Sequence, residues 1–311
     1  MSERPATIPL SGRQVRLAGH GYEATIASVG ASLRTLTYGG RDLIRPFAAD
    51  ELRPSSSGVT LAPWPNRVAG ARYTWDGVAY QLDVSEPARG NASHGLLSWA
   101  GFDVVEAGPS AAELVAVIEP RKGYPHRVQV RVRFSLCLAG LSTSVTATLL
   151  SEAPAPYGTG SHPYLVAPGG RADEWVLSLP AATIQDVNRA SMRPTGLRSV
   201  QGSPEDFRWA HAVGSLQLDN AYTDLVRDAG GRFVASVTNA DGVGTRISWD
   251  ESCPWVQVFT ADSPGSAADR NAIAVEPMTC PPGAFNSGTD LLRLLPGEPV
   301  EASWLIGSVE G

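Results

Sequence analysis

The sequence is 311 residues long and 43% of it is hydrophobic, enough to bury a sizeable core. A net charge of −6, with scattered arginines and Lys122 as the sole lysine, excludes a basic nucleic-acid footprint. No apolar run approaches ~18 residues, the first residues lack the apolar centre of a signal peptide, and Cys137, Cys253 and Cys280 form no CxxC pair. The expectation is one domain over 1–311, cytoplasmic with reduced thiols, and with neither a membrane nor nucleic acid as partner.

Taken in chain order, the elements read as short strands separated by turn signals. ARYTWDGVAYQL forms a hairpin in which Asp76-Gly77 supplies the positive φ angles of a type I′ turn. In RVQVRVRFSLCL, Val128, Val130, Val132, Phe134, Leu136 and Leu138 share one face, and Gln129, Arg131, Arg133 and Ser135 the other. Ala139-Gly140 reads as the turn, and LSTSVTATLL as the returning strand. WVLSLP from Trp175 is a strand, RFVASVTNADGVGTRISW a hairpin turning near Asp241-Gly242, and PWVQVFTAD from Pro254 another strand. Within it, Trp255, Gln257 and Phe259 share a face. SAADRNA from Ser266 is the one place where a turn or two of helix is expected. The class is therefore all-β and antiparallel, and an alternating α/β design is excluded.

Chemistry concentrates in a few places. His94 lies in NASHG and His162 in GTGSHPYL, where glycine and proline fix the backbone and admit a close neighbour. His20, His126 and His211 lack such surroundings and read as structural or surface residues. In IAVEPM, alternation sets Ile273 and Val275 on the core face, and Ala274 and Glu276 opposite. A glutamate held there, with Pro277 behind it, suits a general base; the competing reading is a solvated strand-end carboxylate. Metal-ligand spacings, a GxSxG elbow, a P-loop and GxGxxG are all absent, so no metal and no cofactor is expected.

PWPNRVAGARYTWDGVAYQL, NASHG, SHPYL, LDNAYTDL and AVEPMTCPPGAFNSG occur in this order. From about Gly19 to the C-terminus the chain resembles the aldose 1-epimerase (galactose mutarotase-like) family. The resemblance implies a large antiparallel β-supersandwich with a sugar cleft on a concave sheet face. It also implies cofactor-free interconversion of the α and β anomers of a free aldohexose, with a monosaccharide as substrate. A monomer or homodimer is expected. By motif, Glu276 corresponds to the general base at the C1 hydroxyl, His162 to the general acid at the ring oxygen, and His94 to the second histidine beside it. Arg67 and Asn66 of PNR, Asp219, Tyr164 and Gln257 become substrate-binding candidates.

Some assignments stay open. Asp224 competes with Asp219, either could cap a turn, and Arg67 could be a structural ion-pair partner. Asn286 could satisfy a turn. Trp64, Trp99, Trp255 and Phe285 join Tyr164 as aromatic wall candidates, with core packing as the alternative. A glutamate base and a protonated histidine overlap best near neutrality if the pKa of His162 is raised slightly. A hexose-6-phosphate epimerase would need an arginine cluster, for which Arg67, Arg72 and Arg89 are available. A non-catalytic sugar-binding module on the same scaffold is a further alternative; a polysaccharide hydrolase or lyase would need a second carboxylate.

Overall fold

The computed structural model describes residues 7–311. Among them the chain is built of antiparallel strands, with one α-helical turn at Ala284–Ser287. A nine-stranded sheet runs, in spatial order, through Asp103–Ala107, Ala111–Ile118, Val128–Cys137, Gly140–Leu149, Val300–Val309, Gly244–Trp249, Phe233–Thr238, Val176–Ser178 and His211–Ala212. An eight-stranded sheet runs through Arg193–Ser199, Ala181–Asn188, Asp219–Leu225, Trp255–Phe259, Ile273–Met278, Gly160–Ser161 and Thr60–Leu61, with Tyr164–Leu165 also paired to Ile273–Met278. Gln14–Gly19, Tyr22–Ala27, Ser32–Tyr38 and Arg41–Asp42 form a four-stranded sheet. One hydrophobic cluster unites all three, from Ile26 and Leu36 through Val130 and Trp304 to Val256, Val258, Ile273 and Val275. This is the all-β architecture expected from the strand pattern.

Period-two alternation is realised in Val128–Cys137, where Val128, Val130, Val132, Phe134 and Leu136 are buried and the intervening side chains are partly or fully exposed. The turn lies one residue earlier than expected. Cys137 pairs with Gly140, so Leu138-Ala139 makes the loop and Leu138 is 84% exposed instead of joining the core face. Gly140 continues the strand at φ +140°, with its Cα side against the Ile306 carbonyl, where a Cβ would clash. The Asp76-Gly77 turn is as expected, with φ +47° and +80° between Trp75 and Val78. In the turn after Thr238, the Asn239 side chain accepts from the Asp241 and Val243 amides.

Helix does not form at Ser266. Local side-chain bonds win there: Asp269 accepts from the Ser263 amide at 2.7 Å and Ser266 from the Ala268 amide at 3.1 Å. Arg270 is drawn away to Asp173 and Asp262. The α-helical turn instead lies at Ala284–Ser287, between Gly283 and Gly288, both left-handed.

Candidate active site

Ile273–Met278 is buried along its whole length, on both faces. Ile273 and Val275 enter the main core, while Ala274 packs with Tyr164 on the opposite face. Glu276 shares that opposite face and is 1% exposed, so it is no solvated strand-end carboxylate. On one side it is paired in register with Gln257. On the other side the neighbouring chain breaks: Gly160 pairs with Met278 and Tyr164 with Ala274, leaving His162-Pro163 between two short strands. That register carried across the break sets His162 opposite Glu276. Pro277 and Pro163, which donate no amide hydrogen, thus fall where the ladder is interrupted.

The result is a direct contact. His162 Nε2 lies 3.2 Å from Glu276 Oε1. His162 is 6% exposed and stacks on Tyr164, ring centroids 4.9 Å apart and planes 19° apart. His94 meets His162 edge to face at 5.3 Å. It reaches that position through two left-handed residues, Asn66 at φ +51° and His94 at φ +59°, joined by the His94 amide donating to the Asn66 carbonyl at 2.8 Å. Gly95 follows because the chain crosses close to Ala62: a Cβ there would sit 2.0 Å from its carbonyl oxygen.

These residues line a cleft of about 330 Å³ together with Ser55, Ser56, Asn66, Arg67, Arg89, Asp219, Phe259 and Asp262. Arg67 makes a two-pronged ion pair with Glu86, at 2.9 and 3.1 Å, and approaches Asp219 at 4.0 Å. Gln257 donates to Asp219 Oδ1 at 2.6 Å. Four buried polar atoms in and beneath the cleft have no protein partner: His94 Nδ1, His162 Nδ1, Gln257 Oε1 and Glu276 Oε2. Such atoms are rare in folded proteins, and four of them gather here.

Burial dominates the electrostatics. It pushes the Glu276 carboxyl well above its usual range, helped by the nearby Asp219 charge and opposed by Arg67. It pushes His162 well below the usual imidazole value, with His94, Arg45 and Arg67 adding to the effect. The expected slight rise for His162 is therefore reversed, because the side chain is shut away from water beside a second histidine. His94 is lowered to about 3, by burial first and then by Arg67 and Arg53 against an opposing Glu86, so it is neutral at physiological pH. Asp219 is raised by burial against the pull of Arg67. Glu86 is held down to about 2: burial opposes ionisation, but hydrogen bonds from Arg67 and Arg89 outweigh it.

Of the sequence candidates, Glu276, His162, His94, Arg67, Asn66, Asp219 and Tyr164 come together in the cleft, with Gln257 beneath it. Asp224 does not, as it is exposed and accepts from Thr183. Trp64 and Phe285 pack against each other in the core, 5.4 Å between rings. Trp255 lines a separate cavity with Gln185 and Leu197, and its indole donates to Asp290. Asn286, within the helical turn Ala284–Ser287, bonds the distant backbone of Ala69 and Arg72 and not its own turn. Arg67, Arg72 and Arg89 form no free cationic cluster: Arg67 and Arg89 are both committed to Glu86, and Arg72 bonds Gln81 on an exposed hairpin. Sequence reasoning missed Glu86, Ser55, Ser56 and Asp262. Only the nearness of Glu86 to the NASHG motif could have pointed to one of them.

Among the described residues no helix is long and apolar enough to cross a membrane, and no group of three or more His, Cys, Asp or Glu is placed to hold a metal ion. Nearly all strand, with antiparallel sheets around one hydrophobic cluster, the chain has the all-β architecture of the galactose mutarotase-like fold. The sequence model described as aldose 1-epimerase matches residues 13–306, and the chain belongs to that family. It is 35% identical over 290 residues to the uncharacterized protein YihR of Escherichia coli K12, covering 93% of this chain and 91% of that protein. To the aldose 1-epimerase of the same organism it is 25% identical over 232 residues, covering 68% and 65% respectively. The crystal structure of a GalM/aldose epimerase homologue from C. elegans superposes with a TM-score of 0.84 at 22% identity, over 96% of this chain and 99% of that one.

Proposed function

We propose that the protein is an aldose 1-epimerase that interconverts the α and β anomers of an aldohexose by acid/base ring opening and closure. The observation that carries this reading is the 3.2 Å contact between His162 and Glu276, side by side across a broken strand pair and sealed from water. Opening a hemiacetal needs a base at O1 and an acid at the ring oxygen at the same moment. Glu276 takes the O1 proton, the C1–O1 double bond forms, the C1–ring-oxygen bond breaks, and His162 gives its proton to the ring oxygen. Rotation about C1–C2 turns the other aldehyde face to the ring hydroxyl. Closure runs the transfers in reverse.

Burial sets the resting place of the proton on Glu276, so ring opening begins once that proton has passed to His162. A carboxylate with an imidazolium, and a carboxylic acid with a neutral imidazole, hold the same single proton. Ring opening converts the first arrangement into the second, which is the one that burial favours. Neutral His94 serves as a hydrogen-bonding partner near the ring oxygen. Arg67, oriented by Glu86, and Asp219, oriented by Gln257, bind hydroxyls with Asn66 and Tyr164 alongside. Neither a metal nor a covalent intermediate is needed. The chain acts as one domain, since one hydrophobic cluster spans its three sheets.

The test is anomer exchange of glucose, galactose and other aldoses by polarimetry or saturation-transfer NMR. Exchange accelerated by the wild type and lost in Glu276→Gln, with sugar binding kept, is the expected result. Binding with no acceleration on any free or phosphorylated sugar would instead leave a sugar-binding module.

A further inference from the structure

Behind Tyr164, which lines the cleft, stands a cation that does not line it, Arg45. The Arg45 amide donates to the Tyr164 carbonyl at 2.8 Å, and Ile44 bridges to Leu165. Its guanidinium sits 4.0 Å from the centroid of the Tyr164 ring, and the same ring carries the His162 imidazole, stacked at 4.9 Å. Asn271 Oδ1 accepts from Nη1 at 3.1 Å and Ser57 Oγ from Nη2 at 3.0 Å, so neutral groups hold the head in place. Nε is buried without a partner, and among the described residues Arg45 makes no ion pair.

Two glutamates of the site show what an arginine does at two distances. Glu86 receives Arg67 directly, at 2.9 and 3.1 Å, and Arg89 at 2.7 Å, and is held down to about 2. A carboxyl bonded in that way stays ionised near neutrality and carries no proton. Glu276 instead meets His162, no arginine bonds it among the described residues, and its carboxyl stays raised. The Tyr164 ring keeps Arg45 in the second regime. A cation–π contact anchors the guanidinium on the ring. Coulomb repulsion falls only inversely with distance, so the imidazole on the same ring still feels the charge.

Few ionisable groups face the pair. His162 touches Glu276 and His94, stacks on Tyr164, and feels Arg45 and Arg67; Glu276 feels Asp219 and Arg67 as well. Arg67 shares its charge with Glu86 and Asp219. Of the two cations acting on His162, Arg45 is the one whose field no carboxylate cancels. We propose that Arg45 is a positioning residue of the epimerase: held at a set distance by the Tyr164 ring, it biases the proton shared by His162 and Glu276 toward Glu276. The proposal rests on the epimerase reading above. When the proton crosses to His162, the imidazolium forms against the Arg45 charge and gives that proton up readily to the ring oxygen. No direct bond from Arg45 locks the carboxylate that remains, so it is free to take the O1 proton.

The experiment records kcat/KM for anomer exchange of glucose and galactose against pH, a profile that reports the ionisations of the free enzyme. Wild type is compared with Arg45→Gln, Arg45→Lys and Asn271→Asp. Removing a positive charge makes each protonation of the pair easier, so Arg45→Gln should move both limbs of the profile upward, by about 0.5 to 1 pH unit. Arg45→Lys keeps a cation on the ring and should return both limbs to their wild-type positions. Asn271→Asp leaves Arg45 in place and sets a carboxylate on its guanidinium; it should move the limbs upward too, and keeps the test intact if Arg45→Gln does not fold. A merely structural role would lower kcat/KM at every pH and leave the limbs where they are. Limbs unmoved in Arg45→Gln and Asn271→Asp, or moved as far in Arg45→Lys as in Arg45→Gln, overturn the proposal and leave the epimerase standing. A wild type that exchanges neither these sugars nor any other aldose overturns both.

Discussion

The hairpin Val128–Leu149 and the strand pair Trp255–Phe259/Ile273–Met278 are built from the same antiparallel ladder, yet they follow different rules. In the hairpin, apolar side chains go inward and, apart from Thr143, polar ones outward, and each strand is half-buried. In the second pair both faces are covered. Val256, Val258, Ile273 and Val275 serve the core on one face, while Gln257 and Glu276 lie buried side by side on the other. The first arrangement serves stability. The second sets a carboxyl and a carboxamide where water cannot satisfy them, a local cost that natural proteins accept at functional sites.

Substitutions in the two regions should therefore separate stability from activity. Glu276→Gln is expected to lower kcat for anomer exchange by about 10²- to 10⁴-fold, the usual worth of a positioned proton-transfer group, with a folded protein. Phe134→Ala should do the opposite. It opens a cavity in the nine-stranded sheet and costs about 3–5 kcal/mol of unfolding free energy, while kcat per folded molecule stays the same. Denaturant titration beside kinetics checks both, and a large activity loss in Phe134→Ala at full folding would break the distinction.

Stability against pH sharpens it. The Glu276 carboxyl is raised above its usual 4.5 in the folded chain. An unfolded glutamate releases its proton as pH climbs past that value while the folded one retains it, so wild-type stability falls with rising pH. Glu276→Gln lacks this loss, and its denaturation midpoint should exceed the wild type's by a margin that grows from pH 4.5 upward. His94 acts with the opposite sign. Lowered to about 3, it contributes stability that is complete above the ordinary imidazole value of 6.5 and lost as pH falls toward 3. A midpoint margin independent of pH would contradict the burial of Glu276 as a source of strain. The smallest effect belongs to a turn remote from the cleft: Gly77→Ala, at φ +80°, should cost about 1–2 kcal/mol and leave anomer exchange untouched.

The same contrast governs what could be read from the sequence. Alternation and turn chemistry located the outer hairpins to within a residue, because their periodicity is local. Motif order named the cleft residues, and alternation set Glu276 opposite Ile273 and Val275. What stayed hidden was non-local. Nothing in SHPYL or AVEPM discloses that His162 falls opposite Glu276 across an interrupted ladder, or that burial, with His94 beside the ring, drives the imidazole pKa down rather than up. Ser266–Ala272 reads as helical only until Asp269 and Arg270 find partners outside the segment. Glu86 and Asp262 carry no motif of their own, and their places at the cleft come from what surrounds them in the fold.

The central claim is that Glu276 and His162 work as one unit around a shared proton. The most direct measurement is a double-mutant cycle on anomer exchange at pH 7, with wild type, Glu276→Gln, His162→Asn and the double variant compared at saturating sugar. Two groups acting in the same proton transfer lose their function together, so the double variant should be no slower than the slower single one, within about threefold. Losses that multiply would mean that the two side chains act independently, and would contradict the account.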